Sequence, residues 1–204
     1  MGEPPADSST HASGASVLFT IGHSTRQLDE LAALLAHAGV RALVDVRTAP
    51  GSRRHPQFGR EALAAGLQAH GIAYRHEPSL GGFRRPQPES ANQGWEHPAF
   101  RGYADYMQTA PFADALVRLQ REARSTTTAI MCAEAQWWRC HRRLIADALV
   151  VRGWQVCHLG VGREPVAHEL TPFAVVAGDM SLCYPPAQPQ LTPQRADTPR
   201  RSPR

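Results

Sequence analysis

The stretch from Val17 to Val46, VLFTIGHSTRQLDELAALLAHAGVRALVDV, decides the fold. Residues 17–22 form a short apolar run of the kind a strand needs when both of its faces are covered. Residues 27–39 place Leu28, Leu31 and Leu35 at helical spacing, and Gly39 closes that helix. Residues 41–46 are a second apolar strand. Strand, helix and strand within about 30 residues is the signature of a parallel crossover unit.

The alternation continues outward. A helix over 59–71 again ends in Gly, and a strand over 72–77 follows. A long polar segment, 78–98, leads to helices at roughly 100–109 and 112–124. A strand over 126–133, a helix over 138–153 and a strand over 154–160 complete the pattern. The last apolar run, 172–177, reads as an edge strand or a packed loop, and no internal repeat is present. Right-handed crossovers then place helices on both sides of the sheet. The expected fold is an α/β three-layer sandwich with a mostly parallel sheet, Rossmann-like or flavodoxin-like. An order such as 3-2-1-4-5 would set the first and fourth strands side by side.

The 204 residues suit one α/β domain over 17–183, between a disordered N-terminal tail, 1–16, and a disordered Pro/Arg-rich C-terminal tail, 184–204. All 22 basic residues are Arg, against 18 acidic ones. Half of the core-plus-tail excess of positive charge comes from the short C-terminal tail, so charge balance alone does not argue for nucleic acid. No apolar run is long enough to span a membrane, and the N-terminus has neither a signal core nor a myristoylation pattern. Four scattered cysteines, 132, 140, 157 and 183, do not make a disulfide framework, so a reducing cytoplasm is the expected setting.

Ligands of open parallel sheets bind beyond the carboxyl ends of the strands. Here the chemically unusual residues follow those ends. The first strand leads into His23, Ser24 and Thr25; the second into Asp45, Arg47 and the loop Gly51-Ser52-Arg53-Arg54-His55; the third into Gly81 and Gly82; the fourth into Cys132, Glu134, Cys140, His141 and Arg142. One shared edge would collect them all. Each also has a plainer role: Ser24 or Thr25 as a helix cap, His23 as a core histidine, Asp45 as the partner of Arg47, Cys132 as an inert buried thiol.

Cys140 differs, because it falls near the start of the 138–153 helix among Arg139, Arg142 and Arg143, where the helix field and the arginines favour thiolate. His141 is a proton carrier beside it, and Glu134 is an acid or base, or the partner of an arginine. Zinc is a rival reading through Cys132, Cys140, His141 and a distant His23 or His55. The paired short-spaced cysteines of zinc sites are missing, so no metal is assigned. The gap between Cys132 and Cys140 also departs from the C-x-x-C redox spacing. Trp137 and Trp138 are expected to pack on the sheet or cover the cleft.

The blocks TIGHSTR (20–26), LVDVRTAPGSRRHPQF (43–58), YRHEPSLGG (74–82), FRGYADYM (100–107) and CAEAQWWRCHRRLIADAL (132–149) resemble, in order, the motifs of the DUF488 family of uncharacterised prokaryotic proteins. The resemblance implies an α/β fold over about 17–160 and supplies no reaction.

The residues point to an enzyme of hydrolysis or group transfer on an anionic nucleotide- or nucleic-acid-derived substrate. His23, Asp45, Cys132, Glu134, Cys140 and His141 are the candidate catalytic groups. Ser24, Thr25, Arg47, Ser52, Arg53, Arg54, Gly81, Gly82 and Arg142 are the candidate substrate-binding groups. The cofactor and the oligomeric state stay unspecified. A non-catalytic nucleotide or nucleic-acid binding module, or a thiol redox or metal protein, are the alternatives.

Overall fold

A computed structural model describes residues 16–51 and 54–187. Strands β1 (Val17–Gly22), β2 (Ala42–Asp45), β3 (Ala73–His76), β4 (Thr128–Cys132) and β5 (Gln155–Leu159) run parallel, and β6 (Val166–Ala167) pairs antiparallel with β5. The sheet order is β3-β2-β4-β1-β5-β6. The sandwich expected from the alternation is present, and the first and fourth strands are neighbours. The order differs from 3-2-1-4-5 because β4 is inserted between β2 and β1.

Helices cover both faces. On one side, α1 (Leu28–His37) and α2 (Arg60–Ala69) bury Leu31, Leu35, Leu63 and Leu67 against Ile21, Leu43 and Met131 of the sheet. On the other, α3 (Pro98–Tyr106), α4 (Ala110–Ser125) and α5 (Arg142–Val150) pack on Leu18, Val44 and Ile130. Leu43 and Val44 thus face opposite layers, as the two-residue period of a strand requires. Each such fully buried aliphatic side chain stabilises the fold by about 1.5–3 kcal/mol.

Local signals account for the ends. The α1 start is held by Gln27, whose backbone N–H donates to Glu30 Oε2 at 2.9 Å. Asp29 and Glu30 lie in the first turn and His37 in the last, which suits the helix dipole. Neither Ser24 nor Thr25 is the cap. The helix expected over 138–153 is shorter, because a 3-10 turn at Trp137–Arg139 is followed by extended backbone at Cys140 (φ −128°, ψ 149°) before α5 begins.

The apolar run at 172–177 resolves into β7 (Val175–Val176), which pairs antiparallel with β8 (Leu182–Cys183). Tyr184, the first residue of the expected C-terminal tail, is fully buried, and its hydroxyl donates to Asp147 Oδ2 at 2.9 Å. Ser16, expected in the N-terminal tail, accepts at its carbonyl from the Gln155 backbone N–H at 3.0 Å, and residues 1–15 and 188–204 of the two expected tails fall outside the described residues.

A polar chain threads the layer between β5 and α5. Asp147 accepts from His168 Nε2 (2.9 Å), the Thr171 backbone N–H (2.9 Å) and the Tyr184 hydroxyl. With that His168 nitrogen carrying the proton, its Nδ1 accepts from His158 Nε2 at 3.0 Å, and His158 Nδ1 accepts from the Thr20 hydroxyl at 2.7 Å. Trp137 stacks flat on His158 at 4.1 Å. Every donor in this chain has an acceptor, which is what allows it to lie inside the core. Among the described residues no helix is long and apolar enough to cross a membrane.

Candidate functional site

Strand β1 feeds α1 on one face and β4 feeds α5 on the other, so the loops leaving these adjacent strands diverge and open a crevice at the sheet edge. The loops stay tied at their roots. His23 N–H donates to Cys132 O and Ser24 N–H to Ala133 O, each at 2.9 Å. Gly22 permits this approach: a Cβ there would lie 1.9 Å from the Glu134 carbonyl oxygen. Backbone this close excludes any side chain.

The end of β4 and the start of α5 place two sulfurs and an imidazole together. His141 Nδ1 lies 3.6 Å from Cys140 Sγ and 4.0 Å from Cys132 Sγ. Its other nitrogen, Nε2, donates to the Val46 carbonyl at 3.1 Å, which leaves Nδ1 as the nitrogen that faces the thiols. Arg142 is buried behind them, with Nε donating to Cys140 Sγ at 3.4 Å and Nη2 to the Glu134 carbonyl.

The pair is asymmetric. Burial pushes the Cys140 thiol up, but the hydrogen bond from Cys132 and the neighbouring His141 and Arg142 together hold it well below the usual thiol range. The Cys132 thiol is pushed well up, first by its hydrogen bond to Cys140 and then by burial. The proton of the pair therefore stays on Cys132, and Cys140 carries the thiolate. None of the four cysteines is joined in a disulfide.

Asp45 ends β2 fully buried. Arg47 grips it, with Nη2 donating to Oδ2 at 2.6 Å, Nε to Oδ1 at 2.9 Å and the backbone N–H to Oδ1 at 3.0 Å. Tyr74 O–H adds a bond to Oδ2 at 2.8 Å. Arg47 Nη1 reaches His23 Nε2 at 3.2 Å, and His23 Nδ1 donates to Ser24 O at 2.9 Å. Burial, followed by the Arg47 charge among the lowering effects, brings His23 down to about 4 despite the Ser24 bond, so it is neutral near pH 7. Its ring stacks on Phe58 at 4.1 Å. With both nitrogens engaged, His23 orients Arg47 rather than presenting a base to the crevice.

Two adjoining hollows occupy the sheet edge. The larger, about 510 Å³, is lined by Cys132, Cys140 and His141, with Arg47, Arg139 and Glu134 at its polar margin and Phe83, Phe100 and Trp138 at its apolar one. The second holds His23, Ser24, Thr25, Gly51 and His55, and shares Arg47, Ala133 and Glu134 with the first. The edge thus gathers His23, Ser24, Thr25, Arg47, Gly82, Cys132, Glu134, Cys140 and His141. Asp45 and Arg142 lie behind it, buried. Ser52 and Arg53 lie outside the described residues, and Arg54 is exposed.

Gly81 and Gly82 act through their smallness. A Cβ on Gly81 would press on Thr48 Oγ1 at 2.8 Å, and one on Gly82 would sit 3.0 Å from His141 Nδ1. Tyr103, Phe83 and Phe100 line the cleft without having been singled out from the sequence, and Arg139, read there only as a cation near Cys140, lines it as well. Tyr103 is fixed by its hydroxyl, which donates to Leu80 O at 2.8 Å, and its ring lies 5.0 Å from that of His141. Its place in the block FRGYADYM was the available signal.

No curated protein and no solved structure matches the chain. A family model described as "Domain of unknown function DUF488" matches residues 27–149, three fifths of the sequence, and takes in α1 through all but the last residue of α5, with the Cys132–Cys140–His141 cluster. The chain belongs to the DUF488 family.

Proposed function

We propose that the chain is a thiol-dependent enzyme of hydrolysis or group transfer, acting on an anionic substrate derived from a nucleotide or nucleic acid. The observation that carries this reading is the 3.6 Å approach of His141 Nδ1 to Cys140 Sγ in the wall of an open cleft, with the other imidazole nitrogen committed to Val46 O. That is the pairing a sulfur nucleophile and its proton acceptor require.

In the first step the Cys140 thiolate attacks an electrophilic phosphorus or acyl carbon, while His141 Nδ1 holds the proton that the sulfur has given up. A bond from sulfur to the substrate forms, the bond to the leaving group breaks, and the leaving group takes the proton from His141. Water or a second acceptor then cleaves the sulfur adduct, its proton passing to His141 Nδ1, and the Cys140 thiolate is restored. Cys132 donates its S–H to the resting Cys140 sulfur. Glu134, exposed at the junction of the two hollows, is placed to steer the incoming water or acceptor. The substrate class is supported by the rim: Arg139 meets negative oxygens, while Phe83, Phe100 and Trp138 offer flat faces to a base.

The test is a screen of the full chain against nucleotide and phosphoester libraries, with intact-mass detection of a covalent adduct. Turnover with an adduct on Cys140, abolished in Cys140→Ala and slowed in His141→Ala, is the expected result. Turnover that survives Cys140→Ala removes the sulfur from the mechanism. Salt-dependent nucleotide binding without any turnover would make the chain a binding module.

A further inference from the structure

The two sulfurs and the imidazole have a second property, which does not depend on turnover. Their ligand atoms, Sγ of Cys132, Sγ of Cys140 and Nδ1 of His141, all lie within 4.8 Å of one another. Around a tetrahedral zinc ion such atoms stand roughly 3.6–3.8 Å apart, given the usual Zn–S and Zn–N lengths. The imidazole is already 3.6 Å and 4.0 Å from the sulfurs, so a side-chain adjustment of an ångström or less completes the fit.

The surroundings are those of a metal ligand set. A ligating histidine donates its second ring N–H to a carbonyl or carboxylate, which fixes tautomer and ring orientation; His141 Nε2 does so to Val46 O. Arg142 Nε donates to Cys140 Sγ and holds the second ligand. Gly82 leaves the side of Nδ1 open, since any Cβ there would stand 3.0 Å away. Among the described residues no fourth His, Cys, Asp or Glu joins the cluster, and all three ligands line the cleft.

We propose that Cys132, Cys140 and His141 bind one thiophilic cation of the zinc type, with its fourth coordination position open to the cleft, and that the bound ion masks the Cys140 sulfur. Binding displaces the protons that the cluster holds, that of the Cys132 thiol among them, and they are released to solvent. Two thiolates neutralise the divalent charge, and the soft donor pair selects Zn2+ over Mg2+ or Ca2+. The lone pair that would attack a substrate is then shared with the ion, so occupancy switches the nucleophile off. That last consequence alone rests on the reading proposed above.

The experiment uses the full chain, reduced and stripped with a chelator, and Co2+ as a spectroscopic probe. One equivalent of Co2+ should give a thiolate-to-cobalt charge-transfer band with tetrahedral visible bands, bleached by Zn2+. Cys132→Ser should weaken Co2+ binding by more than about 100-fold, since loss of a ligand exceeds the cost of losing an outer partner. The double variant Cys157→Ser/Cys183→Ser should leave it unchanged.

A second measurement needs no variant: Zn2+ should protect Cys140 from iodoacetamide, with protection reversed by chelator. An octahedral Co2+ spectrum without a sulfur band, a band retained in Cys132→Ser, or equal alkylation with and without Zn2+ each overturns the proposal. If the ion binds and no substrate turns over, the metal site stands and the enzyme reading falls. If turnover through Cys140 is found and no ion binds, the reverse holds.

Discussion

Replacing Asp45 with alanine would strand a guanidinium inside the protein. Asp45 is fully buried and Arg47 is 7% exposed, so neither group has water to fall back on. In Asp45→Ala, Arg47 loses its contacts to both carboxylate oxygens and its backbone N–H loses its acceptor, while Tyr74 loses the partner of its hydroxyl. Removing one member of a buried ion pair costs about 3–5 kcal/mol, most of it for the charge left behind. Arg47→Met should cost less than that, because Tyr74 O–H still donates to the carboxylate.

The double variant should cost much less than the sum of the singles, since no buried charge then remains, giving a coupling of about 2–3 kcal/mol. Urea unfolding at pH 7, followed by circular dichroism, reads all four corners of the cycle. The slope of free energy against urea has to stay constant for the comparison to hold. A loss under about 1 kcal/mol in Asp45→Ala, or additivity within about 0.5 kcal/mol, would refute the claim that this pair is a closed structural unit.

Asp147→Ala deprives His168, the Thr171 backbone and Tyr184 of their shared acceptor, and at about 1–3 kcal/mol per stranded buried donor should lower stability by about 3–5 kcal/mol in the same assay. Burial brings His23 to about 4 and His158 to about 3, so below pH 6.5 the unfolded chain takes up protons that the fold refuses. Their contribution to stability is complete above pH 6.5 and drains away as pH falls towards those values. Histidine ring spectra recorded during an acid titration should show both rings neutral at pH 5. Gly22→Ala forces a methyl into the Glu134 carbonyl, and its cost, at least the 1–3 kcal/mol of an overpacked core, should appear as a lowered urea midpoint together with a changed rate of Cys140 alkylation.

The strands and the two helical layers were legible because their signals are local: a continuous apolar run for each buried strand and Leu spacing for α1 and α2. Strand order was not. Nothing within VLFTIG or TTTAIMCA states that the two pair, and the insertion of β4 between β1 and β2 is decided by long-range packing. The convergence of strand exits followed from parallel topology alone, so the cluster was visible as a region. Its internal wiring was not visible. His141, Cys140 and Cys132 are close in sequence, but the tautomer is set by Val46 O, 95 positions away. Tyr103 entered the site from a helix after β3 whose signal is only a polar-apolar pattern, indistinguishable from an ordinary surface helix. The chain through His158, His168 and Asp147 escaped notice because its members sit on separate segments, Asp147 and His158 each as one polar residue in an apolar run and His168 in a mixed polar stretch beside Glu169.

The arginines illustrate why residue type falls short of role. Reading the edge as a cationic cradle counts Arg47 and Arg142 as anion receptors, yet both are spent. Arg47 is neutralised by Asp45 and extended to His23; Arg142 is buried, with its donors on Cys140 and the Glu134 carbonyl. A guanidinium that already faces a carboxylate or thiolate contributes little net field, because the opposite charges a few ångströms apart act on the cleft as a dipole. What remains for a substrate anion is the exposed Arg139 of the cleft lining. Such a site favours a substrate with one principal negative group held at the rim and a neutral, flat portion resting on Phe83, Phe100 or Trp138, over a polyanion laid across the whole edge.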